Sequence, residues 1–133
     1  MAECDLALLE IIKNGFEAVA DEMAIILMRT AHSPIVRDAM DFSTALCDPY
    51  GQNIAQGLTT PMHLGSLYDA MQNLIGQYEG DINDGDIFIC NDPYISSGHH
   101  LPVFYVIKPI FPLGAWSGWA PTIAPHVLVV GLV

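Results

Sequence analysis

Five histidines stand at positions 32, 63, 99, 100 and 126, and Asp41 and Asp92 fall beside segments that read as strands. Loops at strand ends are where binding and catalytic groups concentrate. A site drawn from Asp41, His100 and His126 would combine one carboxylate with two imidazoles. That mixture suits zinc, manganese or iron(II). Spacing alone does not decide for it, because the three residues come from separate segments and no HExxH helix is present. The same histidines would serve as surface groups or as hydrogen-bonded core groups. His63 precedes a helical pattern, so it either hydrogen-bonds near that helix start or lines a pocket. Asn91-Asp92-Pro93-Tyr94 has the composition of a turn, and its alternative role is also to line a pocket. Ser43 lies two residues after Asp41, but no base and orienter for it can be read from the sequence.

Other chemistries are excluded by pattern. There is no GxxxxGK[ST] phosphate loop, no GxGxxG after a strand and no GxSxG elbow. Cys4, Cys47 and Cys90 are odd in number and widely spaced, with no CxxC pair. Neither a zinc knuckle nor a disulfide framework follows. Cys47 and Cys90 lie in apolar runs and read as small core residues. Four basic residues face fifteen acidic ones, for a net charge of −11. That balance opposes binding to a nucleic-acid backbone, which needs clustered Lys and Arg. The acidic excess reads as a solvated surface, or in part as carboxylates converging on a cation.

The elements that must position these groups fit one domain of α+β class. The chain has 133 residues, 52% of them apolar, which supports a core and disfavours disorder. No apolar run approaches the roughly 20 residues of a membrane span. The acidic N-terminus lacks the basic and apolar regions of a secretion signal, and the expected location is cytoplasmic. From residue 5 to about 31, Leu9, Ile12, Phe16, Val19, Met23 and Ile26 recur at three- and four-residue steps. This predicts an amphipathic helix with Asp5 as N-cap, ending before Pro34. Phe42 to Cys47 alternates like a strand, Asp48-Pro49-Tyr50-Gly51 turns the chain, and Gln52 to Gln56 returns as a partner strand. A second helix is expected from about Ser66 to Tyr78, then a loop through Asp86 and a short buried strand from Ile87 to Cys90. Val103 to Ile107 is a further strand, followed by a turn after Pro112, a segment from Trp116 to Ala120, and another from Thr122 onward. The uncapped apolar run Val127 to Val133 implies a domain cut short at its C-terminus.

Several strings are more specific than any spacing. Residues 29–47 contain Arg29-Thr30-Ala31-His32-Ser33 followed by Asp41-Phe42-Ser43-Thr44-Ala45-Leu46. Downstream come Thr60-Pro61-Met62-His63-Leu64-Gly65-Ser66, then Gly85-Asp86-Ile87-Phe88 with Asn91-Asp92-Pro93-Tyr94, then His100-Leu101-Pro102, then Thr122-Ile123-Ala124-Pro125-His126. In this order the blocks resemble the hydantoinase B/oxoprolinase family over nearly the whole chain. The resemblance implies that residues 1–133 are the N-terminal part of a longer subunit. It implies a hetero-oligomer with a hydantoinase A-type subunit that uses ATP, acting on a small cyclic amide activated by phosphoryl transfer and opened with help from a divalent metal, zinc or manganese. Relatives also serve in acetone-type carboxylases, and a third possibility is a non-catalytic assembly module. The implied metal ligands are Asp41 and His100, with an Asp and a His at positions where this chain has Val103 and Pro125. His99 and His126, each one position away from an expected ligand, are the histidines left to substitute, although adjacent strand residues point to opposite faces. His63, Asn91 and Asp92 are the implied substrate contacts.

Overall fold

A computed structural model describes residues 5–94 and 99–126. Helix α1 spans Leu6–Thr30, and the Asp5 carboxylate accepts from the backbone N–H groups of Ala7 at 3.0 Å and Leu8 at 3.4 Å. These bonds satisfy donors that a first helical turn leaves unpaired. Helix α2, Pro34–Arg37, begins at the proline, whose fixed φ and missing N–H suit a first helical position. Strands β1 (Ser43–Cys47) and β2 (Asn53–Gln56) form the expected hairpin. A 3-10 turn at Pro61–Ser66 runs straight into α3, Leu67–Gln77. Then follow β3 (Phe88–Cys90), β4 (Val103–Ile110) and β5 (Gly118–Pro125). The five strands form one antiparallel sheet in the order β2-β1-β5-β4-β3. The class is α+β, as expected from the pattern of elements. No helix among the described residues is long and apolar enough to cross a membrane.

The two long helices sit on opposite faces of the sheet. Leu67, Ala70, Met71 and Leu74 of α3 pack against Ala45, Cys47, Val103, Tyr105, Ile107, Trp119 and Ile123. Ala20 of α1 packs on Leu46 and Ala55, and Ala24 on Val36 and Phe42. Because successive strand residues alternate faces, β1 supplies both cores and all five of its residues are buried.

The structure corrects four expectations. Of the apolar stripe of α1 only Met23 packs toward the sheet: Leu9 is 51%, Phe16 41% and Ile26 55% exposed, while the buried positions are Ala20 and Ala24. The cause is close approach. The Thr44 hydroxyl donates to the Ala20 carbonyl at 3.0 Å, and a Cβ on Gly57 would lie 2.7 Å from that same oxygen. Alanines take the two closest positions, and Met23, Leu27 and Met28 pack partly buried beside them. Second, β3 is an edge strand rather than a buried one, with Ile89 exposed and Cys90 only half-buried. Third, β4 continues through Pro109 to Ile110. Fourth, β5 runs unbroken through Pro121. The β1–β5 ladder skips the position opposite Pro121, which has no N–H to give. The expectations for Cys4, for Ser96 to Gly98 and for the run from Val127 lie outside the described residues.

Candidate functional site

The groups singled out in the sequence gather at one end of the sheet. Asp41 lies just before β1. The preceding residue, Met40, has φ 53°, a left-handed conformation that costs energy for a side-chain-bearing residue. Three bonds hold that turn. Thr60 Oγ1 donates to the Met40 carbonyl at 3.1 Å, the Phe42 N–H donates to the same oxygen at 2.9 Å, and the Asp41 N–H donates to the Ile35 carbonyl at 3.1 Å. The 3-10 turn then drops His63 onto the first residue of β1. His63 Nδ1 is 3.1 Å from Ser43 Oγ, and its Nε2 is 3.7 Å from Asp41 Oδ1. The His63 side chain is 3% exposed and that of Asp41 38%, so the pair opens to solvent on the carboxylate side. Ser43 Oγ also donates to the Thr60 carbonyl.

Other rings and hydroxyls surround His63. The His99 ring lies 5.2 Å from that of His63 and 6.2 Å from that of Tyr105. Ser66 Oγ donates to the His63 carbonyl at 3.1 Å and lies 2.5 Å from the Tyr105 hydroxyl. Burial holds His63 below its ordinary pKa; the Asp41 carboxylate opposes that shift, and His99 and His100 add to it. His63 is therefore favoured as a neutral imidazole at pH 7, able to accept a proton.

The other expected site residues are placed as follows. His100 is exposed and near enough to influence His63, while its carbonyl accepts from the Val103 N–H at 2.9 Å. His126 directly follows β5: its N–H donates to the Pro102 carbonyl at 2.7 Å, and its ring meets Phe104 edge-on at 6.3 Å. Asn91 Nδ2 donates to the Leu101 carbonyl at 3.0 Å, tying the end of β3 to the chain before β4. Asp92 Oδ1 accepts from the Tyr94 N–H at 2.7 Å in the expected turn. Among the described residues, no three His, Cys, Asp or Glu side chains are grouped to hold a metal ion. The strand register supplies a reason. Pro125 pairs with Val103 in the β4–β5 ladder, and neither side chain can ligate a metal. The described donors do not fit a three-ligand metal site.

Sequence reasoning missed Ser43 as a partner of His63, and it missed Ser66 and Tyr105. Twenty residues separate Ser43 from His63, and the connection depends on a hairpin and a 3-10 turn that no local pattern encodes. A cleft of about 580 Å³ between α3 and β3, lined by Asn73, Tyr78, Asp81, Asn83 and Asp86 among others, does not include these residues.

The fold is an antiparallel sheet between two helices, and it sets a buried histidine between a serine and a carboxylate. The chain belongs to the hydantoinase B/oxoprolinase family, whose sequence model matches residues 5–132. It is 38% identical over 130 residues to an uncharacterized protein of Methanocaldococcus jannaschii, covering 96% of this chain and 23% of that protein. It is 30% identical over 128 residues to 5-oxoprolinase 1 of Arabidopsis thaliana, covering 96% of this chain and 10% of that protein. The crystal structure of the ATP-dependent caprolactamase from Pseudomonas jessenii superposes with a TM-score of 0.75 at 26% identity, covering 93% of this chain and 21% of that one. The chain thus spans about a quarter or less of the relatives it matches.

Proposed function

We propose that the chain supplies a polar acid–base pocket to an ATP-dependent enzyme that opens small cyclic amides in the cytoplasm. It would work within a hetero-oligomer whose hydantoinase A-type subunit holds ATP. The observation that carries this reading is the buried, neutral-favoured His63 held between Ser43 and Asp41. Support comes from membership of the family and from relatives named 5-oxoprolinase and caprolactamase.

In this reading the partner subunit transfers a phosphoryl group to the amide oxygen and makes the carbonyl carbon electrophilic. His63 Nε2 and the Asp41 carboxylate then provide basic groups beside the reacting amide. A positioned base contributes about 10²–10⁴-fold. His63, Asn91 and Asp92 are the proposed substrate contacts. The expected zinc or manganese at Asp41, His100 and His126 would need donors from beyond the described residues, and no step is assigned to it. Calorimetric titration of the chain with either ion tests that part, and the absence of any binding heat contradicts it.

The reaction is tested by mixing the chain with an A-type subunit, ATP and a panel of 5-oxoproline, hydantoin and caprolactam. The expected result is ADP release that requires both proteins and one of the cyclic amides. ADP release by the A-type subunit that neither the chain nor any amide changes would contradict the proposal.

A further inference from the structure

Helix α1 is held by its own domain along only part of its length. Its buried residues are Ala20 and Ala24, and every residue from Leu6 to Val19 is exposed. The apolar positions follow a stricter rule than amphipathicity. Leu9, Ile12, Phe16, Val19, Met23 and Ile26 are spaced by alternating steps of three and four. That is a heptad repeat, with Leu9, Phe16 and Met23 at a and Ile12, Val19 and Ile26 at d. Such a seam takes a second helix. The residues buried against the sheet, Ala20 and Ala24, do not belong to it. Met23 is part-buried beside Ala20, and the other seam residues are 41–55% exposed.

The seam matches itself when reversed. In an antiparallel pair, Leu9 meets Ile26 of the second copy, Ile12 meets its Met23 and Phe16 meets its Val19, and a two-fold axis repeats the three contacts. The exposed N-terminal part of each helix is then covered by the sheet-bound part of the other. Opposed helix dipoles favour this direction, and Glu22 falls beside Gly15 of the second copy rather than beside another carboxylate. From Leu9 to Ile26 the seam is about 26 Å long on a cylinder about 10 Å across, so each copy offers on the order of 500 Å². Two copies reach about 1,000 Å², the area that a specific interface needs. Both helices are already formed in the fold, so pairing does not carry the ordering cost that makes so short a repeat insufficient in a free peptide. We propose that α1 is a dimerisation helix, binding α1 of a second copy of this chain in the antiparallel register set by Phe16 and Val19. The proposal goes beyond the reaction described above and does not depend on it.

The test uses the 133-residue chain with Cys4→Ser and Cys90→Ser, which leaves Cys47 buried. Sedimentation equilibrium is expected to show monomer and dimer. Phe16→Asp should weaken association by at least about tenfold and leave the melting curve in place, because Phe16 is exposed within one copy. Spin labels are then placed, in separate proteins, at Glu10→Cys and Glu17→Cys, and the distance between copies is read by double electron–electron resonance. In the antiparallel pair the two labels at position 17 lie nearly level along the axis, and the two at position 10 are offset by about 22 Å. The distance at position 10 should therefore be clearly the longer. If Phe16→Asp does not fold, the two distances still decide. Equal distances mean a parallel pair and overturn the proposal. A chain that stays monomeric at the highest attainable concentration, or that forms only larger aggregates, overturns it as well and leaves this face to a different occupant. So does a folded Phe16→Asp variant that dimerises like its parent.

Discussion

At the scale of single residues, the site depends on keeping His63 neutral inside the fold. Burial is the largest cause of its lowered pKa, outweighing the nearby Asp41 carboxylate. The unfolded chain holds this histidine near its ordinary 6.5. Above that pH both states are neutral and the fold loses nothing. As the pH falls through 6.5 the unfolded state takes the proton first, so stability drops until the folded histidine is also protonated. Thermal melts between pH 7.5 and 5.5 should therefore fall more steeply for the wild type than for His63→Gln; identical slopes would show that the folded pKa is not lowered. Cys47 is the opposite kind of buried group. Burial, with Asp48 nearby, pushes its thiol up to about 12, so it is inert packing, as its apolar surroundings in the sequence implied. Asp41 and His63 were both legible as candidate groups from their motifs. Their pairing was not, because it depends on the φ of Met40 and on where a 3-10 turn ends.

At the scale of elements, α1 turns one face to the sheet and leaves another exposed. Its small face, Ala20 and Ala24, meets the sheet, and Asp21 Oδ1 accepts from the Leu58 N–H at 2.7 Å. Its large apolar face, with Leu9, Ile12, Phe16, Val19 and Ile26, is 41–55% exposed. The helix was legible from periodicity, cap included, but not the direction it faces. Periodicity favours the bulkier stripe, whereas the sheet is met most closely by Ala20 and Ala24, with Met23, Leu27 and Met28 beside them. Exposed apolar surface of this extent favours association. The isolated chain is expected to self-associate in light scattering, and Leu9→Ser with Ile12→Ser and Phe16→Ser should yield a monomer with little change in thermal stability. A wild type that is monomeric at high concentration, or a variant that unfolds, contradicts this account of the helix. The hairpin of β1 and β2, α3 and β4 were also readable from local signals. The edge position of β3 was not, since strand order is a long-range property that a three-residue segment does not encode.

At the scale of the whole molecule, the domain carries the polar site around His63 and no phosphate-binding sequence motif, in a family whose relatives include a 5-oxoprolinase and an ATP-dependent caprolactamase. The chain spans 23% of one relative's length and 10% of another's. On the proposed reading it contributes the acid–base side of a reaction whose nucleotide is held elsewhere. The family was legible because several short strings occur in order, and the sheet explains their grouping: blocks near residues 41, 63, 100 and 125 meet at one end of β1, β4 and β5. The most direct test is the amide-dependent turnover number of the complex with the A-type subunit, measured for the wild type, Asp41→Asn and His63→Gln, with Ile89→Thr on the exposed edge strand as control. The expected result is a loss of about 10²-fold or more for each site variant, with folding retained by circular dichroism and the control unchanged. Equal turnover numbers in all four proteins would contradict the assignment of this site.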